Sequence, residues 1–249
     1  PEGDRRFHFL VDNENGNEPD LPRNSRGTAL IGDPRNDENV IVSQLQLAFL
    51  KFHNRLLDDL ISQSGENANL RQLFEETRRI VVWTYQYIVW HDFVKRLIAN
   101  DLWTSLLKLE TVNGVTRWRL GNQFYNWKNT PFIPVEFSAA AYRFGHSLVR
   151  NGYQLNITFG VGEEFEIPIF DLSGSGPDLR GGRPLPHRHS LQWDWFLPLP
   201  SSVTPPFPQF ARRVDPLLSN ALARIPAGPG DDNALAFLNL KRGWRMGLP

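Results

Sequence analysis

Three short stretches set side chains with usable chemistry at helical spacing. In Gly32-Asp33-Pro34-Arg35-Asn36-Asp37-Glu38, a tight turn leads into an apolar-periodic segment, and Arg35 and Glu38 fall on one face. From spacing alone, the plain reading is a surface ion pair at a helix start. In Tyr142-Arg143-Phe144-Gly145-His146-Ser147, the imidazole of His146 lies among Ala139, Ala140, Ala141, Leu148 and Val149. A histidine on an apolar face is usually a hydrogen-bonded core residue. Here the small residues leave room for a flat group to approach, and Arg143 puts a cation beside that space. Asn239 and Arg242, three apart in Leu238-Asn239-Leu240-Lys241-Arg242-Gly243, share a helix face, and a capping or solvated arrangement is the plain alternative.

Other candidates carry less. His53 and His91 sit in helical patterns and read as structural. His187 and His189 form a His-x-His pair in a proline-rich loop, without a third ligand to complete a metal site. The eight tryptophans read as core and rim residues, and nothing selects one for electron transfer.

These residues need elements to hold them. Apolar residues from Val40 to Leu60 recur at helical spacing, so a long helix is expected from about Glu38 to Ser62. A second is expected over Asn69 to Leu97, charged in its first half and aromatic in its second. Residues 103–126 read as short segments, with a hairpin about Asn113-Gly114. Pro131 and Pro134 precede an expected helix over Val135 to Arg150, which would carry His146. Short strands are expected at Arg6 to Val11, Tyr153 to Phe159 and Glu164 to Ile169, and helices at Phe210 to Leu222 and Ala234 to Arg242. The Gly- and Pro-rich stretch 171–208 reads as a surface excursion. The fold class is therefore mainly α, with long loops and a few short strands.

The bulk properties exclude more than they assign. The 249 residues suffice for one large domain, and no internal boundary is evident over 1–249. Hydrophobic residues make up 41% and charged residues 22%, a globular balance. The formal net charge of zero supplies no field that would favour nucleic acid or an anionic membrane. No apolar run is long enough to span a bilayer. With no cysteine, disulfides and thiolate metal sites are excluded within these residues.

Taken together, the motifs carry a resemblance. Gly32-Asp33-Pro34-Arg35-Asn36-Asp37-Glu38-Asn39, followed by His53-Asn54-Arg55-Leu56, resembles a signature of animal-type haem peroxidases of the peroxidase–cyclooxygenase superfamily. Ala141 to Ser147 resembles that family's proximal-histidine motif, and Leu238 to Pro249 its Leu-Asn-x-x-Arg-Gly segment. The order and distances are compatible, and the wording is closest to bacterial members. The resemblance spans residues 32–249 and is patchy over 100–130 and 160–230. It implies a haem, either haem b or a covalently modified form, with His146 as iron ligand. Asn239 would accept a hydrogen bond from the other ring nitrogen. Arg35 would act catalytically on the peroxide side. Arg143 and Arg242 would pair with propionates, and Glu38 occupies the position that can form an ester to a haem methyl group.

The resemblance also implies a distal histidine well upstream of Arg35, near acidic residues that help bind calcium. Only 34 residues precede Arg35, and His8 does not match the motif. The chain is expected to be part of a longer protein, or to draw that histidine from a second chain, or to lack full activity. Two further departures are Gln46, where many relatives carry histidine, and Trp244-Arg245-Met246 near the end. The implied activity is oxidation of an organic donor or halide by hydrogen peroxide. The alternatives are a fatty-acid dioxygenase of the same superfamily and a non-catalytic haem-binding or structural domain. Dioxygenases carry a radical-forming tyrosine three residues before the histidine, where Arg143 stands, so peroxidase is favoured. The compartment is open, with an extracellular setting favoured.

Overall fold

The computed structural model describes residues 5–11, 19–65, 68–121, 130–160, 163–174, 176–199, 209–226 and 234–248. By its contacts the chain divides into two compact units. One holds Pro1–Phe9 with Phe52–Phe132, and the other holds Leu10–Lys51 with Ile133–Pro249. The long helix α1, Val40–Ser64, contributes residues to both. The architecture is mainly helical, with two small two-stranded sheets among the described residues. No helix among them is long and apolar enough to cross a membrane.

In the first unit, α2 (Leu70–Ile88) begins where Asn69 accepts a hydrogen bond from the Gln72 amide, a side-chain cap for an otherwise unpaired donor. The helical path continues to Leu97 as the sequence predicts, but not uniformly. A π-helical turn, Val89–Val94, separates α2 from the short α3, Lys95–Leu97. Two successive rings on this turn, Trp90 and His91, both meet Trp103 of α4 (Asn100–Leu106), at 4.7 and 5.8 Å. Then β1 (Leu107–Val112) pairs antiparallel with β2 (Val115–Leu120). The two-residue loop is Asn113-Gly114, both at positive φ, which matches the twist of the flanking strands.

The strand expected at Arg6 to Val11 does not form. The Phe9 amide and carbonyl instead bond the Asn54 side chain, each at 2.8 Å, so this backbone is satisfied by a helix rather than by a ladder. Phe9 and Phe74 close around the ring of His53, which is buried.

The second unit packs Val40, Leu155, Ile167 and Leu179 into one core. The two strands expected here shrink to β3 (Gly152–Tyr153) and β4 (Ile167–Pro168). A Cβ on Gly152 would meet the Ile167 carbonyl oxygen at 2.8 Å, so the close pairing requires glycine. The helix expected from Phe210 to Leu222 reduces to α6, Asn220–Ala223. Pro216 explains this, since it lacks an N–H and disfavours helical conformation in the residue before it. The last helix, α7, runs Leu235–Arg245.

Candidate functional site

The predicted helix over Val135 to Arg150 is two elements. Helix α5 covers Val135–Ala139, and the chain then breaks at Ala140 (φ −127°, ψ −74°) into a 3-10 run, Ala141–Leu148. Eight residues is long for such a run, because its hydrogen-bond geometry is poorer than that of an α-helix. At about three residues per turn, side chains three apart eclipse. Arg143 and His146 are therefore stacked on one side. Ser147 is buried and bonds back to the Phe144 carbonyl. A Cβ added to Gly145 would meet nothing within 4 Å, so the run is open on that side.

Helix α7 brings Asn239 to this run. Its amide nitrogen lies 2.9 Å from Nδ1 of His146, and its oxygen accepts from Arg242 at 3.1 Å. The contact joins residues 93 apart in sequence. Its direction reverses the expectation: Asn239 donates to the ring rather than accepting from it. The physical reason is Arg242, a donor-only group that claims the amide oxygen and turns the NH2 toward the imidazole.

The electrostatics of the cluster are one-sided. Burial, then Arg143, then Arg242, push the His146 pKa below its ordinary value, which favours the neutral imidazole that a metal requires. Burial and the nearby Arg242 also lower the pKa of Arg143. Among the described residues neither arginine has a carboxylate partner, and Nε of Arg143 is buried without a hydrogen bond. Two guanidiniums without a carboxylate partner among the described residues, beside an imidazole whose Nδ1 is taken by Asn239, fit a ligand with a metal centre and carboxylates. A cleft of about 600 Å³ lies alongside, lined by Ala139, Ala140, Arg143, Asn239, Gly243 and Trp244 among others. His146 does not line it, although its partner Asn239 does.

Arg35 and Glu38 stand in the same unit but outside that cluster. Arg35 lies in a 3-10 turn, Pro34–Asp37, which Asp33 caps by accepting from the Arg35 amide. Its guanidinium binds Asp33 through Nε at 2.9 Å and Nη2 at 2.5 Å, and its side chain is 77% exposed. The expected partner for a plain ion pair was Glu38, but the chelating position of Asp33 wins. Hydrogen bonds from Arg35 hold the Asp33 carboxyl at about 2. Glu38 is exposed and adds a weaker attraction to Arg35. Neither residue lines the cleft beside Asn239.

The family model for animal haem peroxidase matches residues 3–171, a span that includes Arg35, Glu38, Arg143 and His146. The chain belongs to the animal haem peroxidase family.

As a member of this family it is 30% identical to the chorion peroxidase of Drosophila melanogaster over 138 residues, covering 55% of this chain and 16% of that protein. It is 34% identical to a peroxidase-like protein of Margaritifera margaritifera over 130 residues, covering 48% of this chain and 14% of the other. The matches span only 16% and 14% of the length of these two relatives. Among solved structures, peroxidase A from Dictyostelium discoideum matches with a TM-score of 0.65 at 15% identity, over 98% of this chain and 43% of that one. At that identity the likeness shows the fold alone.

Sequence reasoning missed two groups. Asp33 anchors Arg35, and only the Asp-x-Arg spacing hinted at it. Arg23 and Asp20 lie under the turn that carries Arg35, and no local pattern marks them.

Proposed function

We propose that this chain is the part of a haem-dependent peroxidase that holds the porphyrin and presents a cation to the peroxide. The observation that carries this reading is the His146 cluster: a partly buried imidazole partnered by Asn239, with two arginines that have no carboxylate partner among the described residues. When bound, the haem would supply the iron redox chemistry by which hydrogen peroxide oxidises an organic donor or a halide.

The chain's own residues would do the rest. His146 would offer Nε2 to the iron, which requires the ring proton on Nδ1. For that, Asn239 would turn its oxygen to the ring and accept from it, making the imidazole a stronger donor. Arg242 would then release Asn239 and, with Arg143, pair with the haem carboxylates through its forked guanidinium. Arg35 would place positive charge where negative charge develops as the O–O bond of peroxide breaks. Glu38, exposed beside it, would offer its carboxylate for an ester link to the macrocycle. Arg143 stands three residues before His146, where a dioxygenase needs tyrosine, so peroxidation is favoured over lipid oxygenation.

The test is haem titration followed by peroxide-dependent oxidation of guaiacol. A Soret band should appear and shift on adding peroxide, and His146→Ala should abolish both the band's ligand-dependent position and the oxidation. Unchanged oxidation by His146→Ala would overturn the reading.

A further inference from the structure

The side chain of Arg23 is only 5% exposed, and all five of its N–H groups are used. Nε donates to Asp20 at 2.8 Å, Nη1 donates to Asp37 at 2.7 Å and to the Gly27 carbonyl at 3.0 Å, and Nη2 donates to Asp37 at 2.8 Å and Asp20 at 3.3 Å. Asp20 also accepts from the amides of Leu21 and Leu185. One side-chain cluster thus ties residues 20–23, the turn Pro34–Asp37 and the loop around Leu185 together.

Asp37 lies between Arg35 and Glu38. At about 120° of arc per residue in a 3-10 turn, residues three apart share a face and Asp37 points elsewhere. Gripping Asp37 from the buried side therefore sets the rotation of the turn and turns Arg35 and Glu38 outward together. The far side of the turn is held as well. Gly181 donates to the Glu38 carbonyl at 3.0 Å, Gly182 to the Asp37 carbonyl at 2.6 Å, and Val40 to Leu179 at 2.9 Å. Asn36 bonds Gln46 of α1 at 2.9 Å.

A buried cluster of one arginine and two aspartates is a poor source of net stability, because desolvation offsets its attraction. What such clusters do well is fix geometry. We propose that Arg23, held by Asp20 and Asp37, is a positioning residue that determines where Arg35 and Glu38 stand. The proposal rests on the reading of Arg35 as the peroxide-facing cation. Asp33 then aims the guanidinium locally, and Arg23 places the turn that carries it.

The test uses the full chain with Arg23→Lys, which keeps the charge and loses the fork, Arg23→Gln, and Asp37→Asn, with Arg35→Gln in parallel. In the haem-free protein, amide hydrogen exchange at Val40, Gly181 and Gly182 should accelerate by about tenfold or more in the Arg23 and Asp37 variants, with α2 unaffected. In the haem-loaded protein, the rate of reaction with peroxide per bound haem should fall by about tenfold or more, while the KM for guaiacol holds. Should the Arg23 variants fail to fold, Asp37→Asn, which is nearly isosteric, carries the same measurements. Wild-type exchange at those three amides, or a wild-type peroxide rate per bound haem alongside a slow Arg35→Gln, overturns the proposal. A normal rate in Arg35→Gln instead overturns the role given to Arg35, and the exchange arm still decides whether Arg23 holds the turn.

Discussion

At the level of single residues, the site is a balance of groups that each want a different partner. Arg242 holds the Asn239 oxygen only while no better acceptor is near, and a carboxylate is a better acceptor because charge-assisted bonds are roughly twice as strong. Asn239→Leu should leave Nδ1 of His146 without a partner and weaken haem retention by about 10- to 100-fold, read from a Soret titration. Arg35→Gln should lower the peroxide rate by about 100-fold or more.

His53 gives a pH prediction away from the site. Burial, reinforced by the nearby His8 and opposed by a hydrogen bond with Asn54, lowers its folded pKa below 6.5. The unfolded chain then binds the proton more readily than the folded one. Stability should be full above pH 6.5 and fall as pH drops through 6.5 towards the lower folded value, by at most about 1.4 kcal/mol per pH unit for this one group. Thermal unfolding between pH 5 and 8 reads this, and His53→Phe should flatten the slope. An equal slope in that variant would assign it elsewhere. The chemistry-bearing residues were legible as types and spacings. The direction of the Asn239 bond was not, because it depends on Arg242 competing in three dimensions.

At the level of elements, the decisive feature is the break at Ala140. Periodicity alone predicts one helix through His146, since Val135 to Arg150 contains neither glycine nor proline before Gly145. The observed 3-10 run tightens the turn and stacks Arg143 over His146, a difference of small dihedral changes that pattern-reading does not resolve. The turn before α1 makes a sharper prediction. A Cβ on Gly181 would fall well inside contact distance of the Asp37 backbone oxygen. Gly181→Ala should therefore cost about 1–3 kcal/mol, as overpacking does, with the loss read by urea unfolding and accompanied by faster exchange at Val40. Asn69→Ala offers a control in the other unit: loss of the α2 cap should cost about 1 kcal/mol and leave haem retention unchanged.

At the level of the whole chain, much apolar surface stands in water. On the hairpin, Leu107, Leu109, Trp118 and Leu120 share one face, and Leu109, Trp118 and Leu120 are each more than half exposed. A two-stranded hairpin is marginal on its own, and its apolar face invites association. The chain should self-associate at micromolar concentration, and Leu109→Lys with Trp118→Lys should reduce this, as measured by sedimentation velocity. An unchanged distribution would place the sticky surface elsewhere.

The sequence by itself determined the family, the helical class, α1 to within a few residues, and the helical path over Leu70–Leu97 without its π-helical turn. Each of these rests on local order: periodicity, caps, and motifs that occur in a set sequence. Only the tertiary structure decided that Arg242 takes the Asn239 oxygen, that Arg35 is chelated by Asp33, and that Arg23 lies beneath the turn. Those contacts come from competition among donors and acceptors that are distant along the chain. A donor takes the acceptor that folding brings within reach, which spacing along the chain does not encode.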